Sequence, residues 1–284
     1  MPINDNCALE VFLMSHRWSR RAFVSLTSGL GAFGLSALSS NVLAQAAPAP
    51  PNFAPEAFPA QDPALAKEIV GVSHSDIKRV RELVERQPAL ARASIDWGYG
   101  DWETCIDGAS HVGRREIAEF LIASGARPTI FSAAMMGQLD VVKAFVMARP
   151  GVQRTYGPHG ITLAAHARAG GADAEPVLQY LTALGDANTP LPTVPIAPAD
   201  RNAVAGRYVY GTGPRDYFII DVQRDQLGID RPGGPARRNL MHTGDLVFFP
   251  SGVPSAKIAF ARESGKVTQL TLADPQVLVT AKRA

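Results

Sequence analysis

Cysteine is almost missing from this chain: among 284 residues only Cys7 and Cys105 carry a thiol. Cys7 lies in a leader-like stretch, so Cys105 is left without a partner, an internal disulfide is excluded, and stability must come from packing. The neighbours of Cys105 (Thr104, Ile106, Gly108 and Ala109) have the small and apolar character of a buried helix face, which predicts an inert core thiol. Aromatics are sparse at 7%, and charge of either sign is in near balance, 28 Lys and Arg against 26 Asp and Glu. A formal charge of +2 without clustered basic residues excludes the electrostatic footprint of a nucleic-acid or anionic-membrane binder. The nearest approach to such a cluster, Arg231, Arg237 and Arg238, reads as a solvated turn. With 46% hydrophobic residues the chain is an ordinary globular one, long enough for two modest domains.

Charge is also missing from the early part of the sequence. After Arg17, Arg20 and Arg21 no charged residue occurs until Glu56, and the intervening Gly-, Ser-, Leu- and Ala-rich stretch passes through Ala44-Gln45-Ala46. A basic start, an apolar middle and a small-residue cleavage site predict an export signal over 1–46. Ser19-Arg20-Arg21-Ala22-Phe23-Val24 resembles the twin-arginine export motif, which implies a periplasmic or otherwise exported protein with no stable membrane insertion after cleavage.

Two proline-rich stretches divide the remainder of the chain. Residues 47–63 (APAPPNFAPEAFPAQDP) read as an extended spacer and 189–199 (TPLPTVPIAPA) as a linker, leaving segments 64–188 and 200–284. In the first, apolar residues at 77, 80, 83 and 84 mark one face of an amphipathic helix, and 113–122, 137–146 and 177–188 repeat the pattern. Short small-residue helices are expected ahead of three of these, over 104–110, 131–135 and 161–169. A helix pair cannot bury its own apolar face, and stacking copies side by side solves that problem.

The motifs carrying the repeat are Gly137-Gln138-Leu139-Asp140-Val141-Val142-Lys143, Ser124-Gly125-Ala126 and Gly185-Asp186-Ala187-Asn188, with eroded starts at Thr104-Cys105-Ile106-Asp107 and Ile161-Thr162-Leu163-Ala164. In these elements segment 64–188 resembles the ankyrin-repeat family, close to its G-x-L-x-V-V-K, x-G-A, G-A-D-x-N and T-P-L-H motifs. The resemblance implies an α-helical solenoid that holds a protein partner on its fingers and inner helices. The stretch DWGYGDW, Asp96 to Trp102, falls where such a repeat would project a finger. Trp97, Tyr99, Trp102 and Glu103 are therefore the candidate binding residues. The alternative for the tryptophans is that they close the apolar end of the first repeat, with at least one indole packed inward.

In 200–284 the period changes. Eight short β-rich runs at about ten-residue spacing, separated by Gly, Pro, Asp and Ser turns, predict an antiparallel meander curled into a small barrel. Val267, Gln269 and Thr271 alternate with Thr268, Leu270 and Leu272, the pattern of a sheet with one wet face. Ala205-Gly206-Arg207-Tyr208, Phe248-Phe249-Pro250 and the run from Ile258 to Leu272 resemble the β-barrel that follows the catalytic domain of serine β-lactamase-like hydrolases. The nucleophile motif S-x-x-K of those hydrolases does not occur in the sequence. The expected fold class is thus α + β in separate domains, an ankyrin-like solenoid followed by a barrel of about eight strands.

No catalytic set can be assembled from the sequence: no nucleophile, base and orienting residue can be named together. His74, His111, His159, His166 and His242 are scattered, and no pair stands at zinc-ligand spacing with Cys105, so no metal and no cofactor are expected. His159 and His166 form the best pair by spacing. The reading is an exported, non-enzymatic protein that binds a protein partner in the cell envelope. The alternative is a carrier or accessory subunit whose barrel, lined by Tyr208, Phe218, Phe248 and Phe260, holds a small hydrophobic molecule or docks on a hydrolase.

Overall fold

The structure, a computed structural model, describes residues 59–284. The export-signal reading of 1–46 and most of the 47–63 spacer lie outside the described residues. Helices occur as α1 (Pro63–Val72) with α2 (Ile77–Arg86), α3 (Cys105–His111) with α4 (Arg115–Ala123), α5 (Ile130–Met135) with α6 (Leu139–Ala148), and α7 (Leu163–Ala169) with α8 (Glu175–Leu184). The first helix of each pair, α1, α3, α5 and α7, packs against the next in that order, while α2, α4, α6 and α8 lie against their own partners. None of the described helices is long and apolar enough to cross a membrane.

Local chemistry explains where the short helices begin. Thr104, Thr129 and Thr162 each accept a hydrogen bond from a first-turn backbone N–H, that of Asp107, Ser132 and Ala165 respectively. At Thr129 the Ser132 hydroxyl also accepts from the Thr129 N–H, completing a reciprocal cap. Between α3 and α4, and again between α5 and α6, the chain turns on a left-handed glycine, Gly113 and Gly137, and packing forbids a side chain at either. At Gly137, with φ 73°, an added Cβ would lie 2.2 Å from the Asp173 carbonyl oxygen of the next pair. The apolar faces meet in two clusters. One contains Ile69, Val80, Leu83, Ile106, Ile117 and Leu121, and the other Leu163, Val177, Leu181 and Val142. Each fully buried Leu, Ile or Val among them contributes about 1.5–3 kcal/mol. Cys105 sits in the first cluster, its thiol against the carbonyls of Leu90 and Ala93, and burial pushes it up to about 12, as an inert core thiol requires.

The stretch DWGYGDW closes a two-stranded hairpin of β1 (Ser94–Asp96) and β2 (Trp102–Thr104). Asp96 accepts from the N–H groups of Gly98 and Gly100, and Tyr99 takes φ 64° between them. The corresponding loop between α6 and α7 carries Pro158-His159-Gly160 at its tip, with Tyr156 bridged to Thr162.

Strands β3 (Gly206–Val209), β4 (Tyr217–Gln223), β5 (Gln226–Asp230), β6 (Arg238–Gly244), β7 (Val247–Pro250), β8 (Lys257–Glu263), β9 (Lys266–Asp274) and β10 (Gln276–Arg283) form a closed antiparallel barrel, β10 pairing with β3. This agrees with the expected eight-stranded meander. The expected alternation in β9 needs one correction. Between β8 and β9 the register slips, from Ala261 opposite Gln269 to Arg262 opposite Val267, leaving Thr268 as an extra residue. Val267 consequently turns inward along with Leu270 and Leu272. The barrel interior holds Tyr208, Phe218, Phe248 and Phe260, with Phe260 ring centroids 5.4 Å from Tyr208 and 5.6 Å from Phe248. A helix not expected from the sequence, α9 (Pro198–Val204), covers one end: Val204 is buried in this core and its carbonyl accepts from the Tyr208 hydroxyl at 2.7 Å.

The helices and the barrel belong to one compact unit rather than standing apart. Gly98 lies against Pro235, Gly160 against Gly252, and Tyr99 against the barrel core. In the 189–199 stretch the Val194 N–H bonds the His242 carbonyl, so the expected linker is pinned to β6.

Candidate metal centre

His74 follows the C-terminus of α1, and its Nδ1 donates to the Val70 and Gly71 carbonyls of the last turn at 3.1 and 3.0 Å. With the proton committed to Nδ1, the Nε2 lone pair of neutral His74 points away from the helix. His111 ends α3 in the adjacent pair, and its Nε2 lies 2.9 Å from Nε2 of His74. Gly108 makes this approach possible, since a Cβ there would stand 2.9 Å from Cε1 of His74. Glu103, on β2, directs Oε1 to within 3.0 Å of Nε2 of His111 and 3.4 Å of Nε2 of His74. His159, from the loop ahead of α7, brings its own Nε2 to 3.4 Å from the same oxygen.

Four donor atoms thus converge from four separate elements, all within 4.8 Å of one another. A tetrahedral ion with bonds of about 2.05 Å needs ligand atoms roughly 3.3 Å apart; the separations among His74, His111 and Glu103 and that of His159 from Glu103, at 2.9, 3.0, 3.4 and 3.4 Å, are of that size, and the whole set stays within 4.8 Å, so His159 closes the shell by a small inward shift. The supporting contacts match. Nδ1 of His159 donates to Asp101 Oδ2 at 2.7 Å and its backbone N–H to Oδ1 at 2.8 Å. Arg238 of β6 donates to the same Oδ2 of Asp101. The second oxygen of Glu103 accepts from the Trp97 indole N–H at 2.6 Å. An imidazole held by a carboxylate or carbonyl on one nitrogen, with the other nitrogen free, is the arrangement that orients metal-binding histidines.

Electrostatics derives from the same contacts. Burial would raise the Glu103 carboxyl, but hydrogen bonds from His111, His159, His74 and Trp97 outweigh it and hold the group far below the usual carboxylate range. Asp101 is lowered as well, burial being overcome by the ring and backbone of His159 and by Arg238. The hydrogen bonds that His159 donates to Asp101 and then to Glu103 raise it to about 9, and the bond to Glu103 raises His74. His166, beside the cluster, differs: its Nδ1 faces the Thr162 carbonyl, its Nε2 is buried without a partner, and burial lowers it to about 4.

The structure distributes the sequence-predicted site residues unequally. Glu103 is at the centre and Trp97 supports it. Tyr99 packs into the barrel core, and burial pushes its hydroxyl up to about 12. Trp102 points outward and is 62% exposed. The expectation of scattered histidines gives way to three gathered around one carboxylate, with Cys105 outside the set. Of the pair favoured by spacing, His159 joins the cluster and His166 does not. The expected solvated turn is corrected in part: Arg231 is exposed, but Arg238 and Arg237 are mostly buried, paired with Asp101 and Asp221. The chain matches no known family model and no curated protein. Spacing rules fail here because each ligand comes from a different element. A signal did exist in register: His74 and His111 close successive short helices, and stacking makes such positions neighbours.

Proposed function

We propose that this is a metal-binding protein whose ankyrin-like helical stack holds one divalent transition-metal ion of the zinc class through Nε2 of His74, His111 and His159 and Oε1 of Glu103. The observation carrying this reading is the meeting of four donor atoms within 4.8 Å of one another, two of the imidazoles being fixed through Nδ1 by outside acceptors. Imidazole and carboxylate suit zinc and its first-row neighbours better than calcium or magnesium. The ion would tie the hairpin, the His159 loop and two helix ends together, and through Asp101 and Arg238 would brace the barrel. Titrating chelator-treated protein with zinc chloride tests this: saturation at one equivalent is expected, with affinity lost in His111→Ala. Absence of binding in the wild-type chain means that the cluster is only an ionic lock between Glu103 and its histidines.

A second reading concerns the partner. For the exported, non-enzymatic chain that the ankyrin and twin-arginine resemblances imply, partner binding is supported by Trp102, which stands exposed beside a groove of about 630 Å³ bordered by Phe131, Thr155 and Tyr156. Capture from a cell-envelope extract with wild-type and Trp102→Ala protein examines it, and identical captures would sink a hairpin-centred interface. The rival, a barrel that carries a hydrophobic molecule, would require the ring contacts of Phe260 with Tyr208 and Phe248 to open.

A further inference from the structure

The four ligands are not equally covered. Glu103 is 0% and His111 10% exposed, whereas His74 is 25% and His159 27% exposed. The two more open imidazoles face a cleft of about 330 Å³, walled by His74, Trp97 and His159 from the helical half and by Ala236, Arg237 and Arg238 from the barrel. An ion seated on the four donors is therefore shielded from below and reachable from the cleft.

We propose that the metal accepts a further ligand from this cleft, and that the ligand is a small molecule presenting an anionic oxygen, of the carboxylate class; the inference rests on the metal reading above. Charge decides the class. Arg237 is balanced by Asp221 and Arg238 by Asp101, so a divalent ion beside the single charge of Glu103 leaves one positive charge uncompensated in a largely buried place. An anion neutralises it. The arginines hold their places through their own bonds, Arg237 to Asp221, Asn239 and the Gln226 carbonyl, Arg238 to Asp101 and the Ser251 carbonyl. They therefore shape the wall and leave the direct contact to the metal. Size argues for more than hydroxide: a water occupies about 30 Å³, and the cleft offers several times that beside the flat face of Trp97.

The test uses the full chain loaded with cobalt(II), whose visible absorption reports coordination, titrated with sodium acetate and, for charge, with the neutral acetamide. A saturable spectral shift with acetate but not acetamide is expected. Ala236→Trp, at an exposed position on the cleft wall, should weaken acetate binding at least tenfold with cobalt stoichiometry unchanged. A cobalt spectrum indifferent to acetate, or an equal response to acetamide, overturns this inference and leaves the metal reading intact. Failure to bind cobalt at all overturns the metal reading, and this inference with it.

Discussion

Asp101 takes both hydrogen-bond donors of His159, the backbone N–H at 2.8 Å and the ring Nδ1 at 2.7 Å. His159 makes this double contact at φ 61°, a conformation uncommon outside glycine. The strain is offset by a bidentate, charge-assisted clamp that aims Nε2 at Glu103. Arg238, which shares Oδ2 with the His159 ring, makes the same carboxylate part of the contact with the barrel.

Replacing Asp101 separates these roles. Asp101→Ala is expected to lower zinc affinity about 10–100-fold, the usual effect of removing a residue that orients a metal-binding histidine. It also leaves Arg238 uncompensated, and urea denaturation of the metal-free protein should show a loss of about 3 kcal/mol. Unchanged zinc affinity would mean that His159 is positioned without its clamp.

Trp97 and Trp102 make a contrasting pair. Trp97→Phe keeps the ring but removes the donor to buried Glu103, which predicts a loss of about 1–3 kcal/mol. Trp102→Phe changes a side chain that is mainly in solvent, so denaturation midpoints should move by no more than about 0.5 kcal/mol equivalent. A similar loss in both would show that the indole N–H bond is not what matters.

Glycine substitutions probe the stacking of the helix pairs. Gly137→Ala puts a Cβ against the Asp173 carbonyl at φ 73°, predicting a cost of about 3 kcal/mol. Gly125→Ala has φ 95° but nothing within 4 Å, so only backbone strain of about 1 kcal/mol is expected. Thermal melts that fall equally for the two would contradict the close contact between successive pairs.

Acid sensitivity should single out His166. Its folded pKa, about 4, lies below the ordinary 6.5, so the unfolded chain takes up the proton first. Its contribution is fully present above pH 6.5 and is lost as pH falls toward 4, about 3 kcal/mol at the limit. His74 and His159 are shifted upward, so what they add is present below pH 6.5 and fades as pH rises through their folded values. Lowered Asp101 and Glu103 lose theirs only in stronger acid, while Asp107, raised by burial, acts in the opposite sense. His166→Leu should therefore flatten the decline between pH 6.5 and 4.5 in chelator-treated protein. An unchanged slope would assign the decline elsewhere.

Much of the architecture is legible in the sequence because its signals are local. Apolar periodicity marks α2, α4, α6 and α8, threonine starts mark α3 and α7, and β-rich runs between turns mark the barrel strands. Thr129 is hard to recognise as a start since the preceding connection is short, and α9 is hidden in a proline-rich stretch. The inward turn of Val267 depends on a register slip between two strands, which one strand's sequence does not encode. The site is less legible. Glu103 and Trp97 stand out through the aromatic cluster beside them, but their importance comes from His74, His111 and His159, which lie far away along the chain and meet only after the helices stack and the loop carrying His159 closes on Asp101.

X-ray absorption at the zinc edge, on the zinc-loaded and desalted full chain, bears most directly on the central claim. One zinc per chain is predicted, with a first shell of nitrogen and oxygen at about 2.0–2.1 Å and the outer-shell scattering of three imidazoles, reduced to two in His111→Ala. A chain that emerges without zinc, or holds it in an all-oxygen shell without imidazole scattering, would contradict the account.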